Sequence, residues 1–191
     1  MAKAAQTRKS LIETTALRLF AERGYAEVSI KDIAQECGIV QSAIYRHTNS
    51  KEELAIRVFR EAYLGFAAKM DAAAEGKMTL EERLSAYLKV MLKGFDKDAY
   101  LIRFLLAQQH DTLNEAVADE DATPLTMVRD AIETARATGA IEVDDIDMAT
   151  AMVMGAALQP LTFMLFGRIS RPAISHHDEI LKGILKLLGA Q

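Results

Sequence analysis

Apolar positions recur at helical spacing along almost the whole chain, and no run alternates as a half-buried strand requires. Leu11, Ile12, Ala16, Leu19 and Phe20 make one stripe of a first helix over residues 7–23. Gly24 follows, offering the positive φ that often ends a helix. Ser29 with Asp32 three residues on predicts a capping box opening a short second helix, whose inner face is Ile30, Ile33, Ala34 and Cys37. Gly38 breaks the chain, and residues 39–47 form a third short helix. Ser50 and Glu53 predict a second box, heading a long helix through Leu54, Val58 and Phe59 that fades near Gly76. Further helices are expected over 79–95, 98–110, 112–138 with an interruption near Pro124, 144–168 and 175–188, the last opened by a Ser175–Asp178 box.

The stretch from Ser29 to His47 has the grammar of a helix-turn-helix: two short helices around a glycine, with small Ala34 where they must cross closely. Ile30, Ile33, Ile39 and Ile44 would anchor both to the first helix, leaving Gln41, Ser42, Tyr45 and Arg46 outside. Such side chains read base edges or grip phosphates in a major groove. Short helix-glycine-helix units also occur in ordinary bundles, so this pattern alone leaves both readings open.

The runs Leu19-Phe20-Ala21-Glu22-Arg23-Gly24-Tyr25, Ser29 to Ala34, Gly38, Ile44-Tyr45-Arg46-His47 and Ser50 to Leu54 occur in the order and spacing of one known domain. Over about residues 7–60 the chain resembles the TetR family of transcriptional regulators. That resemblance implies an all-α fold, with a helix-turn-helix DNA-binding domain in residues 1–50 and a helical regulatory and dimerisation domain in 51–191. It implies that Ser29 holds a phosphate with its hydroxyl and helix N-terminus. Gln41, Ser42 and Arg46 would face the groove, Tyr45 and His47 would contact phosphate or sugar, and Lys51 would pair with a phosphate. Two positions depart from the family pattern. Val40 stands where a capping serine is usual, and Thr48 where a phenylalanine normally follows the histidine.

Charge supports this reading weakly. The chain carries a formal charge of −4, yet residues 1–60 hold ten Lys/Arg against seven Asp/Glu. A basic front and acidic back would turn one face toward phosphate. Cys37 is the only cysteine, so no disulfide can form within the chain; it replaces a usual alanine and is expected to pack rather than act as a redox switch. The basic start lacks an apolar segment behind it, which predicts no secretory signal and a cytoplasmic protein. The apolar run from Met148 to Gly167 is near membrane-spanning length, but Thr150, Gln159, Pro160 and Thr162 interrupt it, so an oligomer helix is expected and no membrane partner.

Beyond residue 60 no motif speaks. The resemblance implies a ligand cavity, for which Tyr87, Met91, Phe95, Phe104, Gln108, Met127 and Met152 are candidate lining residues, with Gln109 and His110 beside Gln108 as polar groups to orient a small apolar or aromatic effector. Plain core packing explains most of that set equally well. The helix over 144–168 is apolar nearly all round, with Ala149, Gly155, Ala156 and Ala157 allowing close approach and Pro160 expected to kink it. Together with Ile180, Leu181, Ile184, Leu185 and Leu188 of 175–188, it is expected to form a homodimer interface.

His176, His177 and Asp178 lack metal-ligand spacing, His110-Asp111 has no nucleophile beside it, and no phosphate loop or dinucleotide fingerprint occurs. The expectation is a non-enzyme without metal or cofactor: a dimeric repressor released from double-stranded operator DNA by a small molecule. A regulator without an effector, or an all-helical ligand-binding protein or enzyme, are the alternatives.

Overall fold

The computed structural model describes residues 2–105 and 121–190, with side chains from residue 8 onward. Nine α-helices and no strand occur among these residues. They are α1 (Ala2–Arg23), α2 (Ile30–Glu36), α3 (Gln41–Ile44), α4 (Lys51–Ala74), α5 (Leu80–Lys97), α6 (described over 99–105), α7 (Pro124–Ala137), α8 (Ile146–Leu165) and, after a 3₁₀ turn at Ala173–His176, α9 (His177–Leu187).

Contacts divide the chain into two compact units. One comprises Met1–Tyr63 with Ala99–Asp121, the other Leu64–Asp98 with Ala122–Gln191, so the division falls within α4. In the first unit α2 packs on α1 and α3 on α2. Its core is Ile12, Ala16, Leu19, Phe20, Ile33, Ala34, Ile44, Leu54, Val58 and Phe59, all buried. Phe104 of α6 joins that core, its ring 6.3 Å from Phe20 and 6.1 Å from Phe59. Arg60 forks onto Asp121 at 2.7 and 3.1 Å, tying residue 121 to α4 with paired donors. Leu11, expected on the core stripe of α1, is instead 47% exposed. It lies one residue, some 100° around the helix, from fully buried Ile12, outside the arc the core covers.

In the second unit α7 packs on α8, and α5 packs on α7 and α9. Phe95, Leu92, Ile132, Leu161 and Ile184 are fully buried there. Leu181, Ile184 and Leu188, expected to face a second copy, are buried within the chain because α9 turns them onto α5 and α8. Pro124 opens α7 rather than interrupting a longer helix: it is the first helical residue behind a Thr123 cap, where its missing N–H costs nothing. The Ser175–Asp178 box is absent. Ser175 donates to the Pro172 carbonyl, and the carboxylate of Asp96 accepts from the N–H groups of Ala173 and Ile174, capping the 3₁₀ turn from another helix. The Ser50 box is half formed. Glu53 N–H donates to Ser50 Oγ at 3.0 Å, but the Glu53 carboxylate takes the N–H and amide of Asn49.

Candidate nucleic-acid interface

Three backbone devices present the second and third helices. Gly24, at φ 89°, closes α1 by donating to Phe20. Ser29 then caps α2: Asp32 N–H donates to Ser29 Oγ at 3.2 Å while Ser29 N–H donates to the Asp32 carboxylate at 2.8 Å. At the far end Gly38 adopts φ 66° and donates to Gln35, and Ile39 donates to Ala34, the two bonds of a Schellman turn. Any side chain at Gly38 would be forced into the left-handed region, so glycine here sets the angle between the helices. Buried Ala34 and Ile44 complete the joint.

The recognition element is shorter than expected, four residues from Gln41 to Ile44 rather than 39–47, because the backbone tightens into turns after Ile44. It nevertheless leaves Gln41, Ser42, Tyr45 and Arg46 exposed and His47 half-buried. Arg46 makes no ion pair among the described residues, unlike Arg18 and Arg57, which bind Glu22, Glu36, Glu13 and Glu53. Ser29 is exposed, but its hydroxyl is engaged in the cap, leaving the helix N-terminus as its means of meeting an anion. Hydrogen bonds from Ser29, first from its side chain and then from its backbone, hold the Asp32 carboxyl below its ordinary range.

Lys51 is half-buried and already partnered. Its Nζ donates to the Tyr25 carbonyl at 2.9 Å and lies 4.1 Å over the Tyr25 ring. Burial pushes the Tyr25 phenol up, so it stays neutral beneath the ammonium. Ser29, Lys31, Gln41, Tyr45 and Lys51 line one open cleft of ≈ 360 Å³. Sequence reasoning misses Tyr25, because the contact spans 26 residues and no local pattern announces it. The departures from the family pattern resolve simply. Val40 caps α3 with no side-chain bond, and Thr48 is buried with its hydroxyl donating to Ser50 O at 2.9 Å. Cys37 is half-buried, its sulfur 4.0 Å from the Leu11 carbonyl.

The candidate effector residues do not assemble as one set. Tyr87, Met91 and Phe95 are buried on α5, Met127 is half-buried on α7 and Met152 is exposed on α8, all in the second unit. Phe104 belongs to the core of the first unit, and Gln108, Gln109 and His110 lie outside the described residues. Tyr87 borders a cleft of ≈ 560 Å³ with Asp71, Glu75 and Arg83, a polarity that the apolar spacing of α5 does not suggest. His177 is buried, its ring nitrogens 2.7 Å from the Asp178 carboxylate and 3.2 Å from Ser85 Oγ.

An all-helical chain whose first unit displays a short polar helix on a glycine-hinged joint is a helix-turn-helix protein. Residues 12–58 match the family described as bacterial regulatory proteins, tetR family. Solved structures repeat the fold over nearly the whole chain. The fatty acid degradation regulator FadR from Bacillus halodurans is 20% identical with a TM-score of 0.81, covering 96% of this chain and 97% of that one. FadR from Bacillus subtilis, solved in complex with stearoyl-CoA, is 19% identical with a TM-score of 0.77, covering 95% and 98%. The TetR family regulator PfmR from Thermus thermophilus is 25% identical with a TM-score of 0.67, covering 90% and 94%. Through its N-terminal domain the chain belongs to the tetR family, a family of DNA-binding transcription regulators.

Proposed function

We propose that the protein is a cytoplasmic, non-catalytic homodimer that represses transcription by binding double-stranded operator DNA and is released by a small molecule. The observation that carries this reading is the exposed set Gln41, Ser42, Tyr45 and Arg46 on a helix fixed from behind by fully buried Ile44. Gln41, Ser42 and Arg46 take base edges in the major groove; Ser29, Tyr45, His47 and Lys51 take the phosphate backbone. Residues 1–50 do the reading and residues 51–191 regulate and pair, with α4 belonging to both units.

The effector is held within 51–191. The FadR protein of Bacillus subtilis, which shares the fold, was solved with stearoyl-CoA, and this extends the expected chemistry from small apolar compounds to long-chain acyl compounds. An effector that prefers the DNA-free conformation weakens DNA binding by the factor by which DNA weakens effector binding.

Mobility shift on genomic fragments with the purified full chain tests the reading, and acyl compounds added to the same assay test release. Arg46→Ala is expected to relax sequence preference. Lys51→Ala is expected to weaken all sequences alike and to flatten the salt dependence by ~0.9 in log–log slope. Wild-type shifts by both variants would remove the proposed interface.

A further inference from the structure

Val40 stands at the start of the recognition helix with no task inside the protein. It is the N-cap of α3, extended at φ −82° and ψ 148°, and it makes no capping bond. Polar side chains are preferred at such positions because they satisfy the free N–H groups of the first turn, and an isopropyl group forgoes that gain. The fold does not bury it either. Val40 is 68% exposed, more than Leu11 at 47% or Tyr45 at 53%, the other exposed large apolar side chains of the first unit's helix-turn-helix region. It directly precedes Gln41 and Ser42, both exposed, and shares their end of the helix.

We propose that Val40 is a specificity-determining residue that packs its methyl groups against the C5 methyl of a thymine in each half-site. This rests on the reading of α3 as the groove-facing helix. Thymine alone among the bases carries a methyl group in the major groove, and apolar side chains are what recognise it. A β-branched side chain suits the task, since its χ1 is restricted before contact and little rotamer freedom is lost on packing. A serine or threonine hydroxyl at position 40 would trade that contact for a cap.

The test uses the full-length protein and a duplex obtained by selection from random-sequence DNA. Each thymine of the selected duplex is replaced singly by uracil, which removes the methyl group and nothing else. Wild type is expected to lose about fourfold in affinity at one thymine per half-site, the ~0.8 kcal/mol of one buried carbon expressed as a ratio. In Val40→Ala that thymine no longer matters, whereas Val40→Ile keeps the discrimination; circular dichroism checks that both variants remain helical. If no thymine in the duplex is sensitive, or if the sensitive one stays so in Val40→Ala, the assignment of Val40 is overturned while DNA reading stands. If selection enriches no sequence at all, the DNA-reading assignment of α3 falls, and Val40 with it.

Discussion

A hydroxyl sealed inside a small helical core costs stability unless it has an acceptor, and Thr48 shows how this chain meets that requirement. The side chain is 4% exposed, and its Oγ1 donates to the Ser50 carbonyl just ahead of α4. Where the family pattern puts a ring, this protein therefore places a polar clasp between the recognition element and the next helix. Thr48→Val preserves the shape and deletes the donor. It is expected to lose about 1 kcal/mol of folding free energy, read as a lower urea midpoint with an unchanged m-value. Equal midpoints for the two proteins would mean that the clasp contributes nothing. Residue by residue, the exposed polar set of α3 was legible because a single helix period separates Ile44 from its neighbours. Leu11 was not, since adjacent apolar positions on α1 compete for one core and the pattern cannot say how wide that core is.

The helix starts are where local sequence speaks most clearly, and they carry a pH signature. Hydrogen bonds from the Ser29 side chain depress the Asp32 carboxyl; the backbone N–H of Asn49 does so for Glu53, and that of Thr79 for Glu82. A carboxylate whose folded pKa lies below its unfolded one adds stability that is complete above the unfolded value. That stability is lost as pH falls through the folded value. With ordinary values of 3.8 for Asp and 4.5 for Glu, all three contributions are present at neutral pH and vanish in acid below that range. Melting temperature is expected to fall as pH is lowered through about 4, and the fall should be shallower in Glu82→Gln, whose amide oxygen still accepts at the cap without titrating. A parallel fall in the variant would assign acid sensitivity to other groups. The Ser29 box was readable because both partners lie three residues apart. The expected Ser175 box failed because the true cap is Asp96, more than seventy residues earlier, and no window along the chain connects the two.

At the scale of the whole molecule, α8 poses the problem that a single chain leaves unsolved. It is the one described helix long and apolar enough to span a membrane, with a mean hydropathy of 1.5, yet only 28% of its most apolar window is buried. Its exposed residues are ordered: Met148, Met152, Gly155, Gln159, Phe163 and, just past its end, Phe166 follow one another at intervals of three and four, a single stripe along one face. A stripe of that length, glycine at its middle, fits an identical helix crossing closely about a twofold axis. Because α9 keeps Leu181, Ile184 and Leu188 inside, the dimer expected over 144–168 and 175–188 draws mainly on α8. That division of labour was invisible in the sequence, where both helices show apolar faces and nothing says which one the chain itself consumes. The double substitution Met152→Asp with Phe163→Asp puts two carboxylates on the stripe without touching a buried side chain. Sedimentation velocity at micromolar concentration is expected to show a dimer for wild type and a monomer for the variant, with melting little changed. Operator affinity should drop by roughly 100-fold or more in the variant, since two half-sites are then bound independently rather than together. A variant that stays dimeric would move the interface off α8. A monomeric variant that holds its operator as tightly as wild type would leave the dimer with no part in reading DNA.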